Sequence, residues 1–306
     1  MCYNKGIMKK IVISIIVIVL VGVGIYYFTR SSPKDVVVNT NQNVSTTTDN
    51  IATTTKPVSK ITTIIGKSVE GRDIIAYHFG TGDTELLFVG GIHGGYEWNT
   101  ALLAYDLVDY LKANPSTVPT NIKVTIIPVL NPDGLNKVAG TSSRFTSSDV
   151  SNTESVVISG RFNGSEVDLN RNFDCDWQSV AKWQSKTVSG GSTAFSEPES
   201  LAIKNYINTQ KPEAVVVWYS AAGGVFSSSC HNGILPITNT LTNTYAEASG
   251  YPAFEEFDFY AITGDMVNWL AKEKIPAISV LLTNHTSTEW TKNLAGVKSL
   301  LKYYAK

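Results

Sequence analysis

Short apolar runs of strand length alternate with helical patterns along this sequence, from residue 61 to the C-terminus. After the apolar run Leu86–Ile92, apolar side chains recur at Leu103, Leu107 and Leu111, the spacing of one helix face. The predicted strands are Asp73–His78, Leu86–Ile92, Lys123–Val129, Ala214–Trp218 and Ala277–Leu282, and the predicted helices are Thr100–Lys112, Glu197–Thr209, Asp265–Lys272 and Trp290–Tyr304. This alternation predicts a single α/β domain with a mixed, mostly parallel central sheet flanked by helices.

Composition narrows the class of protein. With 306 residues, of which 43% are hydrophobic, the chain can bury one large core or two small ones. The formal net charge is −1, so the chain lacks the excess of basic residues that is typical of nucleic-acid-binding proteins. Nucleic acid is therefore excluded as a partner. Three cysteines, Cys2, Cys175 and Cys230, are too few for a disulfide-dense scaffold and form no C-x-x-C zinc motif.

The N-terminal segment has the composition of a membrane span. Ile11–Phe28 contains eighteen residues without a charged side chain, and Lys9 and Lys10 precede it. We predict a short cytoplasmic N-terminus (1–10), a transmembrane signal anchor (11–29), a flexible Ser/Thr/Asn-rich linker (30–60) and an extracytoplasmic domain (61–306). A cleaved signal peptide is the alternative, although the apolar run is long and no small-x-small cleavage pattern follows it.

A histidine and a glutamate follow the apolar strand Leu86–Ile92. His93 stands between pairs of glycines, and Glu97 comes at the start of the next predicted helix. Because binding sites in open α/β sheets collect at the carboxyl ends of strands, this pair is a candidate first half of a zinc site. The alternative is a hydrogen-bonded loop histidine and an ordinary N-terminal helix charge.

A second polar group lies in the segment Asp168-Leu169-Asn170-Arg171-Asn172-Phe173. An arginine fork beside an amide can grip a carboxylate with two hydrogen bonds, whereas the alternative is a surface loop with internal salt bridges. Cys175 and Cys230 either pair outside the cytoplasm or remain two buried thiols.

In chain order, these elements resemble the zinc metallocarboxypeptidases of the carboxypeptidase A/T type, peptidase family M14. The matching elements are Gly66-Lys67-Ser68 with Gly71-Arg72, His93 with Glu97, Asn131-Pro132-Asp133-Gly134, Asp168-Leu169-Asn170-Arg171-Asn172-Phe173, and Tyr260 with Gly264. The resemblance implies an eight-stranded mixed sheet flanked by helices. It also implies one zinc ion that activates water against a C-terminal peptide bond.

The resemblance also implies roles for individual residues. His93 and Glu97 match the first two zinc ligands, and Asn170 with Arg171 match the group that holds the terminal carboxylate of the substrate. Tyr260 matches the residue that closes over the substrate, and Arg161, or alternatively Arg144, matches the arginine that polarises the scissile carbonyl. Val267 matches the residue that lines the side-chain pocket, which implies an apolar pocket. The nearby Asp265 would allow that pocket to accept a basic side chain.

This sequence departs from the family pattern at three places. Three residues separate His93 from Glu97 where the family has two, and the extra glycine can be accommodated as a bulge. The third zinc-ligand position holds Tyr219, and a phenol with an ordinary pKa of about 10 is a poor ligand at neutral pH. The general-base position holds Leu281, which cannot transfer a proton.

Substitutes for the two missing groups can be named from the sequence. His231 is a candidate replacement ligand and His285 a candidate replacement base, whereas Glu289 reads as a helix N-terminal charge.

Two hypotheses follow for this membrane-anchored protein. One is a metallocarboxypeptidase with relocated ligands and one zinc site, acting on peptides or cell-wall stem peptides. The other is a non-catalytic binder of such C-termini through Asn170 and Arg171. A third possibility is that Tyr219 and Leu281 are introduced changes.

Overall fold

A computed structural model describes residues 61–305. The strands are β1 (Thr62–Lys67), β2 (Asp73–Phe79), β3 (Thr84–Val89), β4 (Ile122–Ile127), β5 (Val180–Trp183), β6 (Lys186–Ser189), β7 (Ala214–Ser220), β8 (Gly224–Ser227), β9 (Ala253–Phe254) and β10 (Ala277–Leu282). The helices are α1 (Trp98–Ala113), α2 (Pro132–Ala139), α3 (Glu154–Ser159), α4 (Pro198–Gln210), α5 (Pro236–Ser249), α6 (Met266–Lys272) and α7 (Trp290–Tyr304), with short 3-10 turns at Pro115–Thr117, Ser147–Asp149 and Leu169–Arg171.

The central sheet has eight strands in the order β1-β2-β4-β3-β7-β10-β8-β9, and β5 and β6 form a separate hairpin. Its middle strands β4, β3, β7 and β10 run parallel, whereas β1, β2 and β8 join through antiparallel pairings. The predicted mixed central sheet is therefore confirmed. The parallel strands bring the carboxyl ends of β3, β7 and β10 to one edge of the sheet.

The middle strands are buried on both faces, which explains their unbroken apolar sequences. In β7, Val216 and Trp218 pack on the face covered by α1, α5 and α7. Val217 and Tyr219 pack on the opposite face, which α4 and α6 cover. Because successive side chains of a strand point to opposite faces of the sheet, alternate residues of β7 lie in two separate cores.

Local contacts set where several elements begin. Asn131 directly precedes α2. Its Oδ1 accepts a hydrogen bond from the Gly134 amide at 2.8 Å and caps α2. Glu197 occupies the N-cap position of α4. Before Asp73 the chain forms β1, which pairs antiparallel with β2.

The predicted signal anchor and linker, residues 11–60, lie outside the described residues. Between residues 61 and 305, none of the helices combines the length and apolar character needed to cross a membrane.

Candidate active site

A cavity of about 620 Å³ opens at the edge where β3, β7 and β10 end. It collects most of the residues singled out in the sequence, although they are up to 192 positions apart. The predicted site residues that line it are His93, Glu97, Arg161, Asn170, Arg171, Tyr219, Tyr260, Asp265, Val267, Leu281 and His285. Arg144 lies elsewhere, in an exposed ion pair with Asp109 at 2.6 Å and 2.7 Å.

His93 and Glu97 approach each other in spite of the extra residue between them. The turn after β3 is closed by the Tyr96 amide, which donates a hydrogen bond to the His93 carbonyl at 3.0 Å. This places Nδ1 of His93 2.9 Å from Oε1 of Glu97, and both side chains are buried. Both ring nitrogens of His93 and Oε2 of Glu97 lack a hydrogen-bond partner among the described residues.

Burial sets the protonation of this pair. It lowers the pKa of the His93 imidazole well below its ordinary value, and the Arg161 and Arg171 guanidinium groups lower it further. Burial also raises the pKa of the Glu97 carboxyl to about 8, against the opposing effect of Arg161. The pair therefore offers a neutral imidazole and a carboxyl group that a nearby cation would ionise.

Asp168 lies between His93 and Arg161 and is hydrogen-bonded to Arg161. Its Oδ1 lies 3.6 Å from Nε2 of His93, and its Oδ2 accepts a hydrogen bond from Nε of Arg161 at 2.8 Å. The Arg161 guanidinium also stacks on Trp183, 4.4 Å from the ring centroid. A carboxylate behind a histidine is the usual arrangement that orients a metal-binding imidazole. Sequence reasoning assigned no role to Asp168 or Trp183. The position of Asp168 inside the Asn170/Arg171 motif was the available signal.

Two of the three guanidinium nitrogens of Arg171 donate hydrogen bonds to backbone carbonyls, and the third has no partner among the described residues. Its Nε donates to the Lys182 carbonyl at 2.8 Å and its Nη1 donates to the Asn170 carbonyl at 2.5 Å. Nη2 has no hydrogen-bond partner among the described residues. It is also shielded from solvent, since only 1% of the residue is exposed. An unpaired buried guanidinium N–H is costly, so this atom is suited to an anionic ligand group in the cavity.

Three further predicted residues line the same cavity as Arg171. Val267 gives it an apolar wall, and Tyr260 packs against Phe257, with ring centroids 5.1 Å apart. Asp265 is buried, which raises the pKa of its carboxyl to about 6, while the nearby Arg171 opposes that shift. This part of the cavity thus combines the Arg171 guanidinium, the Asp265 carboxyl group and an apolar surface.

Tyr219 and Leu281 both face the cavity and lie side by side in the parallel pairing of β7 with β10. The Tyr219 ring centroid is 5.7 Å from that of His93. Its hydroxyl donates a hydrogen bond to Oδ1 of Asn170 at 3.3 Å. Burial raises the pKa of Tyr219 well above its ordinary value, which keeps the phenol neutral.

Of the three residues considered as substitutes, His285 lines the cavity and the other two do not. His231 does not line the cavity. It pairs with Asp176 at 2.9 Å on the surface, so the structure gives no support to its role as the replacement ligand. Glu289 occupies the N-cap position of α7 but makes no side-chain capping hydrogen bond, because its carboxylate accepts hydrogen bonds from the Thr283 amide at 2.6 Å and the Tyr251 hydroxyl at 2.8 Å. His285 lines the cavity, with its ring centroid 4.8 Å from that of Tyr96.

Cys175 and Cys230 form a disulfide in the structure, the first of the two alternatives left open by the sequence. The Cys175 carbonyl accepts a hydrogen bond from the Gly264 amide at 2.7 Å. The disulfide therefore supports the loop that carries Tyr260 and Asp265 into the cavity.

Comparison with known proteins identifies the fold and its family. The sequence profile of the zinc carboxypeptidase family, peptidase M14, matches residues 44–279, more than half of the chain. The chain belongs to the zinc carboxypeptidase family.

Carboxypeptidase Z from Gallus gallus is 30% identical over 192 residues, which cover 58% of this chain and 28% of that protein. Carboxypeptidase D from Homo sapiens is 25% identical over 186 residues, covering 56% of this chain and 11% of that protein. The matched region thus spans less than a third of either relative.

Solved structures show the same fold at low identity. Murein-tripeptide amidase MpaA from Escherichia coli O157 superposes with a TM-score of 0.56 at 21% identity, covering 81% of this chain and 94% of that one. Carboxypeptidase A from Helicoverpa armigera gives a TM-score of 0.60 at 20% identity, covering 80% of this chain and 66% of that one.

Family membership implies a zinc ion, and the residues of this chain fit it only in part. His93 and Glu97 supply two adjacent buried donors, but a catalytic zinc site needs three protein ligands. At the third position, the Tyr219 hydroxyl is neutral and bonded to Asn170. In the described part of the chain, three His, Cys, Asp or Glu donors converge only at Cys175, Cys230 and His231, where the sulfurs form the disulfide.

Proposed function

We propose that this zinc carboxypeptidase homologue recognises the free C-terminal carboxylate of a peptide and that its hydrolytic activity is greatly weakened or lost. The observation that carries the proposal is Nη2 of Arg171, a buried donor without a partner among the described residues, on a side chain that lines the cavity. A terminal carboxylate supplies the missing acceptor and the opposite charge. Asn170 lies beside it and contributes amide donors to the same group.

The proposed loss of hydrolysis rests on the chemistry of two side chains. Leu281 stands where the family places its general base, and an alkyl group cannot take a proton from water or deliver one to a leaving amine. Positioned proton transfer is typically worth about 10²–10⁴ in rate. Tyr219 removes the third donor, so any metal would be held by fewer protein groups than the family uses.

The ligand we propose ends in a residue with a long apolar stem and an amino group. Val267 would contact the stem, and the Asp265 carboxylate would pair with the ammonium group. Both lysine-ended peptides and cell-wall stem peptides with a diamino acid have this chemistry. The murein-tripeptide amidase among the structural neighbours makes stem peptides a reasonable candidate class.

A second candidate function is residual zinc-dependent hydrolysis. The specific observation in its favour is the pair His93 and Glu97, whose buried donor atoms lack partners among the described residues. His285 lines the same cavity and is a titratable group that could replace the missing base.

We also propose that residues 11–29 anchor the protein in a membrane, with residues 61–306 outside the cytoplasm. The uncharged run after Lys9 and Lys10 supports this topology, and a disulfide between Cys175 and Cys230 suits an oxidising compartment. Single cysteines placed at residues 5 and 45, in a Cys2→Ser background, should differ in labelling by a membrane-impermeant maleimide on intact cells. Equal labelling of both positions would contradict the anchor.

The decisive experiment compares four versions of the full-length chain, purified in mild detergent: wild type, Tyr219→His, Leu281→Glu and the double variant. Bound zinc is measured by mass spectrometry after incubation with zinc and desalting. Cleavage is measured on blocked dipeptides ending in Lys, Arg, Leu or Phe, and peptide binding is measured by calorimetry.

We expect wild type to bind lysine-ended peptides with a free carboxylate without cleaving them. Tyr219→His should raise the zinc content, and only the double variant should both bind zinc and cleave. Stoichiometric zinc with efficient cleavage by wild type would show that the second candidate is correct. Equal binding of peptide acids and peptide amides would show that the cavity does not recognise a C-terminal carboxylate.

A further inference from the structure

We propose that Tyr219 is a positioning residue for carboxylate recognition: its hydroxyl orients the side-chain amide of Asn170 so that Nδ2 faces the ligand. This inference rests on the proposed function, because it assigns Tyr219 a task in binding the terminal carboxylate. The position that supplies a metal donor in the family would then serve the anion site in this chain.

The backbone of Asn170 is already fixed by its neighbours. Its amide donates a hydrogen bond to Oδ1 of Asp168 at 3.1 Å, and its carbonyl accepts one from Nη1 of Arg171 at 2.5 Å. The residue is also 6% exposed. The remaining freedom is rotation of the terminal amide, which exchanges its oxygen and nitrogen.

The contact with Met266 determines which way that amide points. The backbone amide of Met266 lies 3.1 Å from the Asn170 side chain, and a backbone N–H can only donate. The atom facing Met266 must therefore be the acceptor Oδ1. Because Tyr219 contacts the same oxygen at 3.3 Å, its hydroxyl is the donor in that hydrogen bond.

Two donors on Oδ1 hold the amide in one of its two orientations. A flip would place the Nδ2 hydrogens against the Met266 N–H and leave two donors facing each other without an acceptor. With Oδ1 engaged at both contacts, the Nδ2 hydrogens are the part of the Asn170 amide left for the cavity that Asn170 and Arg171 line. The site then presents two kinds of N–H donor to one carboxylate.

Leu281 supports this arrangement from the next strand. It pairs with Tyr219 in the β7–β10 register and packs in the same core, so its side chain lies beside the phenol. A leucine offers no acceptor, whereas a glutamate here would compete with Asn170 for the Tyr219 hydroxyl. The two departures from the family pattern are therefore mutually consistent in this chain.

The test uses Tyr219→Phe, which removes the hydroxyl and keeps the ring. Two peptides of one sequence, ending in lysine acid or lysine amide, are titrated into the full-length chain by calorimetry. Tyr245→Phe is the matched control, since it deletes another buried hydroxyl, one that bonds Asn293 at 2.8 Å in the opposite core. The same substitution is repeated in an Asn170→Ala background.

We expect Tyr219→Phe to weaken binding of the acid peptide by roughly two- to tenfold, the range of one hydrogen bond. The amide peptide should bind unchanged, Tyr245→Phe should alter neither affinity, and Tyr219→Phe should have no further effect once Asn170 is alanine. Equal weakening of both peptides, or a further loss in the Asn170→Ala background, would overturn the proposal.

A second measurement does not depend on the ligand. In protein labelled with ¹⁵N-asparagine, Tyr219→Phe should broaden or shift the side-chain amide signal of Asn170. The signal of Asn172, whose Nδ2 donates to Gly190 and Thr193 carbonyls at 2.6 Å and 3.0 Å, should stay unchanged. An unaltered Asn170 signal would overturn the role of Tyr219. Equal binding of acid and amide peptides by wild type would instead overturn the proposed function.

Discussion

Leu281 lies directly beside Tyr219, because β10 and β7 pair in parallel register with these two residues as neighbours. They occupy the third-ligand and general-base positions that the family resemblance implies. Both side chains face the cavity, where they give it an apolar surface and a neutral hydroxyl. The cavity thus brings His93, Glu97, Asn170 and Arg171 together beside two residues that differ from those the family resemblance implies.

Arg171→Lys should weaken binding of peptides with a free C-terminus by about tenfold or more. Lysine keeps the positive charge but loses the planar fork, in which two nitrogens are anchored and Nη2 is free. Hydrogen bonds to charged groups are worth about 1.5–3 kcal/mol. Calorimetry with peptide acids gives the affinity, and Lys182→Ala is the control because Arg171 contacts only the backbone carbonyl of Lys182. An unchanged affinity in Arg171→Lys would exclude this guanidinium as the anion-binding group.

Asp265→Asn should change how binding depends on pH. Since burial raises the pKa of Asp265 to about 6, its carboxylate is protonated below that pH and charged above it. Binding of lysine-ended peptides should therefore strengthen as the pH rises from 5 to 7, whereas leucine-ended peptides should show no such rise. The lysine-specific rise should vanish in Asp265→Asn, and its persistence there would assign it to another group.

The same carboxyl group should affect stability in the opposite sense. The folded-state pKa of about 6 lies above the ordinary value of 3.8, so the folded state binds more protons between these values. The free energy of unfolding should then fall as the pH rises from about 4 to about 6, by at most about 3 kcal/mol. Asparagine does not titrate, so Asp265→Asn should flatten this dependence in denaturant titrations. Parallel pH profiles for the two proteins would contradict the assignment.

Reduction of the Cys175–Cys230 disulfide should destabilise the domain and loosen the cavity. The bond closes a sequence separation of 55 residues, and loss of a native disulfide typically costs about 2–5 kcal/mol. Because the Cys175 carbonyl also anchors the Gly264 amide, peptide affinity should fall together with Tm in the Cys175→Ser/Cys230→Ser variant. Cys2→Ser is the control and should leave both quantities unchanged. A lower Tm with full peptide affinity would limit the disulfide to a stabilising role.

Gly264→Ala should damage the site more than a matched glycine substitution. Gly264 has a φ of +65°, and a Cβ there would lie 2.5 Å from the Arg171 carbonyl oxygen. Gly250 has a similar φ of +75°, but a Cβ there meets nothing within 4 Å. Both substitutions should incur about 1–2 kcal/mol of backbone strain, and the excess loss of stability and peptide binding in Gly264→Ala measures the collision with Arg171. Equal losses would show that the loop moves aside without cost.

The sequence by itself determined the α/β class and the family. Apolar runs of strand length alternate with helical spacing, and Ala277–Leu282 and Trp290–Tyr304 have the bounds predicted for them. It also determined which residue types stand at the family's positions, including Tyr219 and Leu281. These features follow from local periodicity and from ordered motifs, which can be read along the chain.

Only the tertiary structure decided how the polar groups pair. These pairings are the disulfide between Cys175 and Cys230, the surface ion pair of His231 with Asp176, and the hydrogen bond from the Tyr219 hydroxyl to Asn170. These partners are 49 to 55 positions apart along the chain. Hydrogen bonds and ion pairs act over a few ångströms, and the distances between such residues are set by the packing of the sheet and its loops, not by the order of the sequence.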